Sequence, residues 1–349
     1  MLQHFKGIHI TALKTCVPSQ VVSNAFFEEL LSPKEIKIFE KTVGIKNRRW
    51  ATDNITALDL GFEAANSLLK EHDVASSEVE CLIFLSQTPD YKIPFSSNIL
   101  QVKLNLPQNV LCLDINAGCA GFVQGLGTAF SIAQTIKGKV LFIVAETLSK
   151  ILSHKDRGTS MLFGDGAAAM LIERSTDDVS ETYFQYFSDG NNADAIMIPD
   201  GGCRNVVTSH SFEIEKDDKN NQKNRLQLAM DGARVLDFTL REVAPSILQI
   251  LKQANLDKEQ IGAFLLHQSN QFIIKQIAAQ LGVEAQKFPI NIDQFGNTSG
   301  VSIPLLIQSQ AENNNELDKL ILSGYGSGLN WANGIISLKQ TKIYPQIEL

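Results

Sequence analysis

Apolar positions in this chain alternate between two periods. Over residues 56–70 they return every three or four positions (Leu58, Leu60, Ala64, Ala65, Leu68, Leu69), the stripe of a helix with one buried face. Over residues 79–85 they run almost unbroken, as in a strand covered on both sides. The alternation continues along the sequence. Strand-type runs are expected at 7–13, 110–115, 139–145, 163–172, 261–266 and 319–323, and helical stripes at 96–104, 122–136 and 232–254. Asn24 reads as an N-cap for a helix over 25–31. Pro33 opens a further helix to Thr42, closed by Gly44. The basic run Ile45–Trp50 reads as a solvated loop, residues 175–194 as a polar crossing, and the Asn-rich residues 209–227 as an exposed excursion.

One template occurs twice. Residues 68–84 and 250–266 both read helix, turn, strand, and they begin about 180 residues apart. Lys139-Val-Leu-Phe-Ile-Val and Lys319-Leu-Ile-Leu-Ser recur at nearly the same offset. This spacing is too long for a solenoid and suits a duplicated domain. Two α/β units are therefore expected, residues 1–174 and 175–349, each with a largely parallel sheet covered by helices.

Composition narrows the class. Apolar content of 44% and charged content of 20% are those of a soluble globular protein. A net charge of −7 argues against nucleic acid or an anionic membrane as partner. No apolar run reaches membrane-spanning length and residues 1–8 lack the apolar core of a signal peptide, so a cytoplasmic location is expected. The five cysteines (Cys16, Cys81, Cys112, Cys119, Cys203) show neither a paired framework nor metal-ligand spacing, so no disulfide and no metal are expected.

Cys119 carries the chemistry. It sits where the 110–115 strand gives way to the 122–136 helix, among Ala117, Gly118, Ala120 and Gly121. A thiol there points at unpaired backbone N–H groups of a helix N-terminus, which favour the thiolate, and small neighbours admit a substrate. A buried structural cysteine is the plain alternative. His267 leaves the C-terminal end of a buried strand, where α/β folds place ligands. Asn297 lies in a Gly/Ser-rich turn and would serve there equally well as an Asx-turn residue. Gly324-Tyr-Gly-Ser327-Gly lacks dinucleotide-binding spacing but suits a loop that presents N–H groups to an oxyanion. Together these groups fit carbon–carbon bond formation on thioesters. Cys119 takes an acyl group, the side chains of His267 and Asn297 hold the enolate oxygen of a decarboxylating malonyl unit, and the backbone N–H groups of Cys119 and Ser327 hold the oxyanion.

The motifs Asn116-Ala-Gly-Cys119-Ala-Gly, Asp156-Arg157-Gly-Thr, Phe163-Gly-Asp-Gly-Ala, His267-Gln-Ser-Asn270, Gly296-Asn297-Thr-Ser and Gly326-Ser327-Gly-Leu-Asn-Trp resemble β-ketoacyl-acyl-carrier-protein synthase III, in order over nearly the whole chain. The resemblance implies a thiolase-like fold, two duplicated βαβαβαββ halves in a five-layered αβαβα sandwich, and a homodimer. It implies a triad of Cys119, His267 and Asn297, and a supporting Asn270. It also implies that Arg157 lies at a coenzyme A entrance, with coenzyme A or acyl-carrier-protein thioesters as substrates and no cofactor. Departures stand beside the matches. Ile38 and Thr42 occupy the places of a Trp and an Arg that clamp adenine. Ile93 takes the place of a Phe that a partner subunit contributes to limit the primer, and Phe272 that of a basic carrier-docking residue. These departures leave two primers open, the acetyl-coenzyme A of the housekeeping enzyme and a longer or unusual acyl group. A thiolase would need a second cysteine in the 324–328 loop, which has none. An acyltransferase acting on an oxygen or nitrogen nucleophile would not need Asn297, and a non-catalytic partner subunit would not need the triad.

Overall fold

The structure is a computed structural model and describes residues 1–175, 180–218 and 220–349. Two sheets organise it. The first uses β2 (Ile8–Val17), β3 (Val79–Leu85), β4 (Leu111–Ile115), β5 (Lys139–Glu146) and β6 (Gly166–Arg174) in the order β2-β6-β5-β3-β4. The second uses β1 (Leu2–Lys6), β7 (Glu181–Ser188), β8 (Ala263–Leu266), β9 (Leu320–Gly326) and β10 (Asn330–Ile336) in the order β1-β7-β10-β9-β8. In the first, β3 runs parallel to β4 and β5, while β6 is antiparallel to both β5 and β2. In the second, β8 and β9 are parallel, and β10 is antiparallel to both β9 and β7. The series β3, β5, β6, β2 thus matches β8, β9, β10, β7, so the expected duplication is present over four strands. The expected largely parallel sheet is not found in the second half, where three of the four pairings among the described residues are antiparallel.

Among the described residues, the helices of eight or more residues are α1 (Pro33–Thr42), α2 (Ala57–Glu71), α3 (Ser96–Lys103), α4 (Gly121–Ala133), α5 (Gly232–Gln253), α6 (Gln271–Leu281) and α7 (Ser302–Glu312). Helix α2 starts on a capping box between Thr56 and Asp59, and α1 on one between Ser32 and Glu35. Three apolar clusters mark the layers. One joins α2 and α3 to the outer face of the first sheet, and another joins α5 and α6 to the outer face of the second. The largest lies between the sheets and encloses α4 and α7, each of which touches both. Helix α4 is buried on nearly every side (Phe122, Val123, Leu126, Ala129, Phe130), as a central-layer helix must be. The layers run α-β-α-β-α, the five-layered sandwich expected of a thiolase-like fold.

Several sequence expectations change. Residues 25–31 form only one helical turn, Asn24–Phe27, because the Asn24 side chain is drawn inward to Ile45 O (2.9 Å), Glu40 and Arg48. The basic run at 45–50 is not a solvated loop. Asn47–Arg49 pairs with Val21–Ser23, Arg48 is fully buried, and Trp50 donates to Phe163 O at 2.9 Å. Burial lowers the Arg48 guanidinium to about 10. Within 175–194, residues 176–179 lie outside the described residues. The chain leaves the first sheet at Arg174 and enters the second at Glu181, the expected crossing, but 181–188 form strand β7 rather than a polar stretch. The excursion at 209–227 holds a helical turn and a small hairpin (Glu215–Lys216 with Gln222–Lys223), with Lys219 outside the described residues.

The two units also exchange their ends. The dividing line at 174/175 falls where β6 stops, yet β1 borders the second sheet and residues 342–343 and 347–348 run beside β2 in the first. The β2 edge therefore receives the last residues of the chain, fixed by Leu349 N–H to Val17 O (3.0 Å) and by Arg49 to Glu348 (2.8 Å).

Candidate active site

One pocket of about 500 Å³ opens where the two halves meet, and Cys119, His267, Asn297, Tyr325 and Ser327 all line it. Each half supplies its part by ending a strand there. Cys119 sits between β4 and α4, in a turn closed by Gly121 N–H to Gly118 O at 2.7 Å. Gly326, the last residue of β9, passes directly under it. A Cβ at Gly326 would come within 2.7 Å of Cys119 Cβ and 3.0 Å of its Sγ, so only glycine lets the two halves meet here.

His267 follows β8 and is 1% exposed. Its Nδ1 is 2.7 Å from Ser302 Oγ at the start of α7, and its carbonyl accepts from Tyr325 Oη at 3.1 Å. Burial depresses the imidazole to about 3, so it is neutral at physiological pH. Asn297 is 6% exposed and is held by three bonds. Its N–H donates to Leu162 O (2.8 Å), its carbonyl accepts from Gly164 N–H (3.0 Å), and its Oδ1 accepts from Ser299 N–H (2.8 Å). Using the oxygen on the backbone leaves the Nδ2 hydrogens as the amide's free donors beside the pocket. The turn depends on Gly296 (φ +66°) and on Ser299 in the left-handed region (φ +52°), which brings Ser299 Oγ to 3.7 Å from Cys119 Sγ.

Burial pushes the Cys119 thiol up to about 12. The Ser299 hydroxyl opposes the rise and the Glu146 carboxylate adds to it. This reverses the expectation of a thiolate near neutral pH, because removal from water outweighs the start of α4. Both Cys119 and His267 rest uncharged.

Known proteins share this arrangement of elements and motifs. Residues 113–190 match the family described as 3-oxoacyl-[acyl-carrier-protein (ACP)] synthase III, and residues 251–338 match its C-terminal part. A β-ketoacyl-[acyl-carrier-protein] synthase III of Lactococcus lactis is 33% identical over 334 residues, 94% of this chain and 98% of that one. The chain belongs to the 3-oxoacyl-[acyl-carrier-protein] synthase III family. A crystal structure of 3-oxoacyl-(acyl-carrier protein) synthase from Burkholderia xenovorans superposes with a TM-score of 0.93 at 34% identity, covering 100% of this chain and 99% of that one. The synthase III of Clostridium perfringens is 34% identical over 324 residues, 92% of this chain and 96% of that one.

The synthase III motifs converge on this pocket from both halves, while the residues named for substrate contact are dispersed. Asn270 lines the pocket and also caps α6 through Phe272 N–H (2.8 Å). Arg157 stands beside the lining residue Gly158 and pairs with Glu35 of α1 at 3.3 Å. Ile93 does not line the chain's own pocket and is 88% exposed. Ile38 is exposed on α1, whose following residue Val43 accepts from Gln271 N–H at 2.9 Å, so α1 borders the rim. Phe272 lines that rim.

Sequence reasoning missed Ser299, Ser302, Tyr325, Gln87 and Glu146. The two serines lie within five residues of Asn297 and were legible as part of its turn. Nothing local marks Gln87 or Glu146, which reach the site only through the pairing of β3 with β5.

Proposed function

We propose that this chain is a condensing enzyme that joins an acyl thioester to malonyl-acyl-carrier protein. The observation that carries the reading is the presence in one pocket of Cys119 with two neutral donors, His267 and the Nδ2 end of Asn297. Cys119 Sγ attacks the thioester carbonyl, the C–S bond to the donor breaks, and the proton lost from Cys119 ends on the departing thiol. The N–H groups of Cys119 and Ser327 hold the oxyanion of that step. The malonyl thioester then loses carbon dioxide. Its oxygen takes enolate charge against the imidazole N–H of His267 and the amide of Asn297, and its α-carbon attacks the acyl-cysteine. A carbon–carbon bond forms, the C–S bond to Cys119 breaks, and the thiol is restored by a proton.

Neutral donors suit this chemistry. An imidazolium would attract the malonyl carboxylate itself, whereas a neutral N–H strengthens only as the enolate forms. Asn297 favours condensation over acyl transfer to an oxygen or nitrogen acceptor, which forms no enolate. The reading takes the chain as a cytoplasmic homodimer that uses acyl-coenzyme A or acyl-carrier-protein primers without a further cofactor. Exposed Tyr91, Ile93 and Phe95 supply apolar surface for a second copy to cover.

The test is intact-protein mass spectrometry of wild type and Cys119→Ala after exposure to panels of acyl-coenzyme A and acyl-carrier protein, followed by malonyl-acyl-carrier protein. An acyl adduct on wild type alone, discharged as a β-ketoacyl product, is expected. An adduct that persists in Cys119→Ala, or release of free acid without a condensed product, would overturn the reading.

A further inference from the structure

Gln87 stands between the two pieces of backbone that the oxyanion step requires. It lies just after β3 and lines the pocket. Ser327 Oγ is 3.3 Å from its Nε2 and 3.4 Å from its Oε1, so the amide bonds that hydroxyl in either orientation. The other side of the same amide rests on Gly118, where any Cβ would collide with it. One side chain thus touches the residue before the nucleophile and the first residue of the 327–329 turn.

The base of Gln87 is itself fixed. Its backbone N–H donates to both oxygens of Glu146 (3.1 and 3.2 Å), a fully buried carboxylate at the end of β5. Ser86 Oγ (3.3 Å) and Thr88 Oγ1 (2.8 Å) donate to the same carboxylate, and Thr88 Oγ1 accepts from Thr147 N–H (2.9 Å). The chain of contacts runs from the buried end of β5 through Gln87 to Ser327 in the other half of the molecule.

We propose that Gln87 is a positioning residue that sets the spacing between the backbone N–H groups of Cys119 and Ser327, and so shapes the oxyanion site for acylation of Cys119. This rests on the reading of Cys119 as the nucleophile. Two donors act together only when both lie about 2.7–3.1 Å from the developing oxyanion, and a displacement of about 1 Å costs on the order of 100-fold in rate. Gln87 is suited to the role because it is uncharged and its polar end is engaged with Ser327.

The test separates geometry from access by using two reagents on one thiol. Acylation by p-nitrophenyl hexanoate passes through a tetrahedral oxyanion; alkylation by iodoacetamide displaces iodide and forms none. Gln87→Ala and the similarly shaped Gln87→Met should lower the p-nitrophenol burst rate by about 10- to 100-fold while leaving alkylation within about threefold of wild type. Gln87→Glu, whose carboxylate still accepts from Ser327 Oγ, should recover part of the burst. Acylation at the wild-type rate in both Gln87→Ala and Gln87→Met would overturn the proposal, as would equal falls in acylation and alkylation. Absence of a burst in the wild type would instead strike the assignment of Cys119.

Discussion

In the proposed reaction Asn297 acts through its orientation. With Oδ1 bound to Ser299 N–H, the amide meets the pocket as a donor, and Asn297→Ala removes that donor and leaves the thiol in place. The variant should therefore form the acyl-enzyme within a few-fold of the wild-type rate. Its condensation with malonyl-acyl-carrier protein should fall by roughly 100- to 1000-fold, the usual cost of one preorganised donor, as single-turnover kinetics would record. Glu146 permits a prediction about pH. Burial raises its carboxyl from 4.5 to about 8, so the folded chain holds this proton more tightly than the unfolded chain. Its contribution is full below about 4.5 and is lost as pH rises toward about 8. Glu146→Gln, which cannot titrate, should flatten the fall of denaturation midpoint across that window. His267 acts in the opposite sense: its depressed value, about 3 against 6.5, costs stability as pH falls below 6.5. The two slopes oppose each other between about 4.5 and 6.5, so denaturant midpoints should show the Glu146 fall alone from about 6.5 to 8 and the His267 loss alone below about 4.5.

At the scale of elements, the meeting of β9 with the turn before α4 decides whether there is a site. Gly326→Ala would place a methyl group against Cys119, an overpacked contact of about 1–3 kcal/mol. We expect a lower melting temperature and acylation of Cys119 slowed at least tenfold, checked by calorimetry and by the mass of the acyl-enzyme over time. Much of this architecture is legible in the sequence. The paired templates at 68–84 and 250–266 are α2–β3 and α5–β8, and Pro33–Thr42 is α1 with its proline, its cap and Gly44 at φ +93°. What is hidden has physical causes. Strand β7 mixes Glu181, Thr182 and Gln185 with its aromatics, and Gln185 is buried beside Gln253, so its polarity reads as surface. Arg48 reads as a solvated charge because its neutral partners, Asn24 Oδ1 and Val22 O, come from elsewhere in the chain. Cys119 and His267 are legible because each follows a recognisable strand, and Asn297 because its Gly/Ser-rich turn precedes the apolar stripe of α7. The effect of burial on the thiol and the imidazole is not, since desolvation belongs to the assembled pocket.

The whole molecule is closed by its last residues. The match to the family's C-terminal model ends at residue 338, and the residues beyond it run along β2 and pack Tyr344, Ile347 and Leu349 on the outer face of the first sheet. Truncation after Leu338 would bare the β2 edge and that apolar surface. The shortened chain should melt several degrees lower and associate with increasing concentration, as thermal scans and light scattering would reveal. The crossed strands also bear on whether the two halves can stand apart. Residues 2–6 have their partner in residues 181–185 of β7, and residues 342–343 and 347–348 border the first sheet. A first half alone, residues 1–174, would hold one strand unhoused and one edge open. Neither half is therefore whole without the other, and the two halves expressed apart would each expose an edge that only the opposite half covers.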